Sequence, residues 1–367
     1  MRFTCTQENL SRGLVAVSRV ASKSAVLAIL NNVLIIADGG QVELQTTNLE
    51  LAITIRIRAK VEKPGRYTVP SRLLTEFISL LGNEKVELET TDQGLRVTSG
   101  HSETTIKGTV AEDFPVLPSQ ESKTTITLPA TTLHQALDGV IFAAAADESR
   151  PEISGTLLRA NQQTLIVAAT DSYRLAERKI KTLSIEGPEL SVIIPSRTAQ
   201  ELLRLTPEDE TVVTLHLGEN QVRYALPEID IISRVIEGQY PDYQQIIPSA
   251  WETKVSCDRE DLMNNIRAAS LFCKAGINDL TLAAVPDKKH IALSAANTQL
   301  GQHQASVSGE IEGQATEIVF NYRYLLEGVQ SLGGETTLLE LQDHNAPGLL
   351  RNPKQPEALY LLMPIRQ

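Results

Sequence analysis

Apolar residues in this chain follow two spacings, and the change from one to the other occurs three times. The segment from Arg2, R-F-T-C-T-Q-E-N-L-S-R-G-L-V-A-V, begins with in-out alternation and passes into a stripe at Leu10, Leu14 and Val17. The same change occurs in T-I-T-L-P-A-T-T-L-H-Q-A-L-D-G-V, with Leu133, Leu137 and Val140. It occurs again in K-V-S-C-D-R-E-D-L-M-N-N-I-R-A-A, with Leu262, Ile266 and Ala269. Each triplet falls on one face of a helix. The triplets start 123 and 129 residues apart. A second helix is predicted after Arg72, Arg197 and Arg323, where V-P-S-R, I-P-S-R and F-N-Y-R lead into apolar periodic runs spaced 125 and 126 residues apart. Two independent markers with nearly one period define an internal repeat.

Between the helices the pattern is that of antiparallel hairpins. N-N-V-L-I-I-A-D-G-G-Q-V-E-L-Q-T-T carries a Gly-Gly turn, and G-T-L-L-R-A-N-Q-Q-T-L-I-V-A-A-T turns at Asn161. V-E-L-E-T-T-D-Q-G-L-R-V and V-V-T-L-H-L-G-E-N-Q-V-R-Y alternate about their own turns. Pro-containing links at 113–118 and 239–248 close the first two copies. The expected organisation is three α+β domains at 1–122, 123–250 and 251–367, each with two helices on antiparallel sheet.

Composition narrows the function. The 367 residues exceed one ordinary core, and 42% apolar content excludes general disorder. No run approaches the roughly 20 apolar residues of a membrane helix, and Met1-Arg2-Phe3-Thr4 lacks a signal core. Cys5, Cys257 and Cys273 show no metal spacing and fit a reducing, cytoplasmic setting. The net charge is −11, with residues 1–125 neutral, 126–250 at −7 and 251–367 at −4. Acidity argues against tight DNA binding, and no zinc-finger or RNP signature is present. Arginines nevertheless lie on helix faces turned from the apolar stripes, as at Arg12, Arg19, Arg204 and Arg267, interleaved with Glu76, Glu201 and Glu327.

The middle copy departs from the others after one turn. Asn48, Asp171 and Asn297 align as strand-end turn residues, but only the middle copy follows with Tyr-Arg-Leu. Asp171 reads first as an Asx-turn residue. An enzyme built on Asp171 and Arg174 would need a convergent acid-base or metal set, and the six histidines are scattered. A purely structural scaffold also remains open at this level. At the other end, Y-L-L-M-P-I-R-Q packs as a final strand until Pro364, which cannot donate to a ladder, so Met363, Pro364 and Ile365 are expected to leave the sheet.

Taken in order, M-R-F-T, the thrice-repeated P-S-R/N-Y-R junction, D-F-P, A-T-D-S-Y-R-L, Y-P-D-Y-Q-Q-I-I-P and L-L-M-P-I-R resemble the bacterial DNA polymerase III β subunits, the sliding clamps, over the whole chain. The resemblance implies the DNA clamp fold and a head-to-tail homodimer in which each chain is half of a closed ring around double-stranded DNA. It implies no catalytic residue, cofactor, metal or membrane contact. DNA, held without sequence preference, would face Arg12, Arg19, Lys23, Arg72, Arg150, Arg197, Arg204, Arg267 and Arg323. Replicative polymerase subunits, the clamp loader and other clamp-binding proteins would dock short peptides between the second and third domains. That groove maps onto Ile153, Gly155, Thr170, Ser172, Tyr173, Arg174, Leu175, Pro241, Ile246, Leu361, Met363, Pro364 and Arg366, with Arg174 and Arg366 at its edge. Ser270, Leu271 and Phe272 are the expected dimer patch.

Overall fold

The computed structural model describes residues 1–21, 27–116, 122–147 and 149–366. The first copy runs β1 (Arg2–Thr6), α1 (Gln7–Ser18), β2 (Asn32–Asp38), β3 (Gln41–Thr47), β4 (Leu51–Arg58), β5 (Lys60–Lys63), β6 (Gly65–Pro70), α2 (Ser71–Ser79), β7 (Lys85–Thr91), β8 (Gly94–Ser99) and β9 (Ser102–Ile106). The second runs β10 (Thr124–Pro129), α3 (Ala130–Asp138), the one-turn α4 (Pro151–Ser154), β11 (Gly155–Asn161), β12 (Thr164–Thr170), β13 (Arg174–Lys181), β14 (Ser184–Glu186), β15 (Leu190–Pro195), α5 (Ser196–Leu205), β16 (Val212–Leu217), β17 (Gln221–Ala225) and β18 (Ile229–Arg234). The third runs β19 (Thr253–Asp258), α6 (Arg259–Ser270), β20 (Asp279–Val285), β21 (His290–Asn297), β22 (Gly301–Gly313), β23 (Thr316–Asn321), α7 (Tyr322–Leu332), β24 (Thr336–Leu341), β25 (Gly348–Asn352) and β26 (Gln355–Leu362).

Local chemistry sets these boundaries. Thr6 caps α1 by accepting from the Asn9 amide, and Asp258 caps α6 by accepting from that of Asp261. Pro70 and Pro195 stand immediately before α2 and α5, where a fixed φ suits the chain and no amide is needed. Asn321 takes that place before α7 and accepts from the Arg323 amide at 3.0 Å. All three expected triplets are buried. Gly39 and Gly40, with φ of 56° and 85°, make the tight turn between β2 and β3 that requires two left-handed residues. Between β11 and β12 the left-handed residue is Gln162, not Asn161.

Residues 1–127, 186–188 and 210–235 form one compact unit; 128–185, 189–209 and the described residues from 236 onward form another. In the first, α1 packs on α2 above sheets ordered β5-β1-β7-β8-β9 and β14-β10-β16-β17-β18-β4-β3-β2-β6. In the second, α3 packs on α5 and α6 on α7, over a twelve-stranded sheet β15-β11-β12-β13-β26-β25-β24-β19-β22-β21-β20-β23. Each unit contains one joint between copies. β18 pairs antiparallel with β4, Ile229 opposite Ile55. β26 pairs antiparallel with β13, Leu362 opposite Arg174. Both join the last strand of one copy to the fourth strand of the copy before it. By that rule β9 and β22 are the remaining last and fourth strands. β9 is a sheet edge, and residues 301–308 of β22 pair only with β21 among the described residues.

Candidate partner groove and arginine-bearing helix faces

The turn that distinguishes the middle copy is built by Asp171. Its Oδ1 accepts from the amides of Tyr173 at 2.9 Å and Arg174 at 3.0 Å. Asn48 and Asn297 do the same in their copies, accepting from Glu50 and Leu51 and from Gln299 and Leu300. The expected Asx turn is therefore present three times. Thr170 closes it from the other side, donating to the Arg174 carbonyl at 2.6 Å and accepting from the Ser172 amide. Ser172 sits at φ 78°, and the Tyr173 side chain is left 65% exposed.

Below the turn lies an apolar cluster of Leu157, Leu175, Ile193, Tyr240, Tyr243, Leu349, Leu359 and Leu361. Ile236, Ile247, Trp251 and Met363 are half-buried on it. Leu175, Leu361 and Met363 thus come together as expected. Tyr240, Tyr243, Ile247 and Trp251, outside the expected set, pack there as well. Ile246 is 48% exposed, while its neighbour Ile247 packs inward, because the turn from Tyr243 to Ile246 sets which isoleucine faces the cluster. Gly155 is a packing requirement of β11: a Cβ there would stand 2.6 Å from Ile193 Cγ2 and from the Ile194 carbonyl oxygen. Ile153 is buried in α4, and Pro241 is half-buried beside Tyr240.

β26 ends at Leu362, and the tail leaves the sheet as its proline requires. The tail is held all the same: the Met363 amide donates to the Tyr173 carbonyl and the Ile365 amide to that of Val319, each at 2.8 Å. Pro364 is half-buried and Arg366 exposed.

Arg174 is not at the edge of the groove. It is 9% exposed and spends its guanidinium on protein partners. Nε donates to Asp171 Oδ2 at 2.9 Å, one Nη to the Phe142 carbonyl at 2.7 Å and the other to Glu327. The guanidinium also stacks on Tyr324 at 4.3 Å and on Phe142 at 5.4 Å. Burial opposes the charge, while the carboxylates of Glu327 and Asp171 favour it, and the pKa is raised. The Tyr360 phenol, driven up by burial, stays neutral and donates to the Tyr324 carbonyl. Under the cluster Tyr243 donates to buried Glu177. Lys179 Nζ lies 3.3 Å from the other Glu177 oxygen without hydrogen-bond alignment.

The other arginines divide by surroundings. Arg12, Arg19, Arg72, Arg197, Arg267 and Arg323 are exposed on or beside α1, α2, α5, α6 and α7. Arg204 is half-buried against Glu201 on α5. Arg12 pairs with Glu228 at 3.1 Å and Arg72 with Glu76 at 2.6 Å. Arg150 is held at 2.9 Å by the Ser172 hydroxyl and at 3.2 Å by Glu152, beside the Asp171 turn. Lys23 lies outside the described residues. Leu271 is 71% exposed, and Phe272 stacks on His303 of β22 at 5.7 Å, so the expected dimer patch adjoins the stretch of that strand that pairs with β21 alone among the described residues. No helix is long and apolar enough to cross a membrane, and among the described residues no cluster of metal-ligating side chains forms.

Three models of the DNA polymerase III beta subunit match the chain: the N-terminal domain over residues 1–118, the central domain over 127–242 and the C-terminal domain over 244–366. The chain is 31% identical to the beta sliding clamp of Synechococcus elongatus, over 100% of this chain and 99% of that protein. It superposes on a Pseudomonas aeruginosa sliding clamp (DNA polymerase III subunit beta) bound to griselimycin with a TM-score of 0.96 and 28% identity, covering 100% of both chains. For the Bacillus subtilis DNA polymerase sliding clamp the TM-score is 0.95 at 26% identity, with 100% of this chain and 99% of that one covered.

Proposed function

Because this chain belongs to the DNA polymerase III beta subunit family, we propose that it is a DNA sliding clamp with no catalytic step of its own, closing head to tail with a second copy around duplex DNA in the cytoplasm. The observation that carries the closure is the repeated joint. Last strand meets fourth strand at β18–β4 and again at β26–β13, which leaves the outer edge of β9 and residues 301–308 of β22 without a second strand partner among the described residues. Two such contacts between two chains close a ring, whereas a head-to-tail contact that failed to close would propagate. Leu271 and Phe272 lie beside this edge, and Leu300, 63% exposed, leads into it.

In this reading the three domains correspond to 1–122, 123–250 and 251–367, and the exposed arginines face the duplex. Several are shared with a carboxylate, as Arg12 with Glu228, Arg72 with Glu76 and Arg204 with Glu201. A shared arginine grips a phosphate less, which suits a clamp that must slide, because each added phosphate contact deepens salt-dependent binding. The surface formed by the Asp171 turn, Trp251, Ile247 and Met363 receives a short partner peptide with leucine or phenylalanine anchors, from the polymerase, the clamp loader or other clamp-binding proteins.

Light scattering of the purified protein tests the closure, with an expected mass twice 40.2 kDa. Leu271→Glu places a charge on a side chain that packs little in the single chain, so it should yield a folded monomer. A native protein that is monomeric at micromolar concentration would contradict the proposal.

A further inference from the structure

We propose that Glu327 is a positioning residue for the partner groove: through Arg174 it fixes the Asp171–Arg174 turn, and with it Tyr173 and the tail, in the form that receives a peptide. The inference rests on the groove being the peptide site.

The three copies provide internal controls. At the position of Arg174 the first copy has Leu51 and the third Leu300, each three residues after the turn residue. Leu51 is buried beside the β18–β4 joint, so a leucine suffices to build a joint of this kind. The arginine is therefore an addition specific to the joint that carries the groove.

The carboxylate has controls too. Glu76, Glu201 and Glu327 each occupy the sixth position of their helix. Glu76 pairs with Arg72 and Glu201 with Arg204, both within their own helix. Glu327 has Arg323 one turn earlier, in the place of Arg72, but Arg323 Nε donates to the Tyr322 hydroxyl instead. Glu327 is thus directed to Arg174, on a strand of the preceding copy.

The chain of contacts onward is short. Arg174 Nε holds Asp171 Oδ2, Asp171 Oδ1 holds the Tyr173 and Arg174 amides, and the Tyr173 carbonyl holds the Met363 amide. Gly328, next to Glu327, lets α7 lie on the Tyr360 ring, where a Cβ would stand 2.2 Å from the ring edge. This close seat fixes the height of Glu327 over β13. Loss of the carboxylate leaves a buried guanidinium short of one charged partner, and the turn is free to shift with it.

The test compares the full-length wild type with Glu327→Gln, Arg174→Leu and Glu76→Gln. Binding of griselimycin, and of a short peptide with leucine and phenylalanine anchors, is read from the fluorescence of Trp251, the single tryptophan. Hydrogen exchange is followed at the Tyr173, Arg174 and Met363 amides. Glu327→Gln should weaken binding about tenfold, the scale of one charge-assisted hydrogen bond, and Arg174→Leu at least as much. Exchange should rise at those three amides and stay slow in the β12–β13 ladder. Glu76→Gln should leave both readouts unchanged. Unchanged affinity in Glu327→Gln would overturn the proposal, and so would weaker binding with unchanged exchange, which would make Glu327 a direct contact. A wild type that binds neither probe would overturn the groove reading and this role with it.

Discussion

Burial decides the chemistry of several single residues. Desolvation pushes the thiols of Cys5 and Cys257 up to about 12 and that of Cys273 to about 11, from an ordinary value of 9.0; Asp258 and Asp261 add to the shift at Cys257. All three are therefore neutral near pH 8 and should not react with a thiol reagent until the protein unfolds, when three groups become titratable. The same shifts set a limit at high pH. Above pH 9 the unfolded chain sheds thiol protons that the native state keeps, so stability falls as pH rises through the window from about 9 to about 12. Denaturant midpoints at pH 8 and pH 10.5 should show the loss, and Cys5→Ser with Cys257→Ser should reduce it. Gly328 illustrates a packing limit. Tyr360 is fully buried and cannot retreat, so Gly328→Ala should destabilise by about 1–3 kcal/mol, measured by equilibrium unfolding.

Among the elements, β26 and its tail separate two roles that adjoin in sequence. Leu361 and Leu362 are buried and pair with both β13 and β25, so their loss would damage the sheet itself. Beyond Leu362, the Met363 amide donates to the Tyr173 carbonyl and the Ile365 amide to that of Val319, outside the strand ladder. A chain ending at Leu362 should therefore fold and dimerise normally while binding peptide far more weakly, since Met363 covers the apolar cluster; truncating a central contact of this kind costs about 2 kcal/mol or more. Unchanged peptide affinity in that variant would place the site elsewhere.

Much at this scale was legible in the sequence, because periodicity is a local signal. The stripes Leu10/Leu14/Val17, Leu133/Leu137 and Leu262/Ile266/Ala269 lie on the buried faces of α1, α3 and α6, and the Asx turns stand where Asn48, Asp171 and Asn297 align. Three features were not. The choice between Ile246 and Ile247 depends on a single turn that alternation does not encode. α4 has only four residues, too few to show a period. The burial of Arg174 depends on Glu327, 153 residues away, and on two aromatic rings contributed by other elements. A lone arginine in a strand-end turn reads as exposed until those partners are in place.

For the whole molecule, three copies of one plan make two internal joints and leave one edge of each kind at β9 and β22; in the proposed closure a second copy supplies both partners. A protein of net charge −11 that holds DNA in this way needs enclosure rather than affinity. Reversing the charge at Arg72 and Arg197 together should shorten residence on DNA without altering peptide binding, because neither residue belongs to the groove. The most direct test loads the protein onto a nicked circular duplex with its clamp loader and then linearises half of the sample with a restriction enzyme. At a salt concentration that suppresses ordinary phosphate contacts, the protein should co-elute with the circle on gel filtration and be lost from the linear DNA. Equal retention on both, or loss from both at the same rate, would contradict a clamp that holds DNA by encircling it.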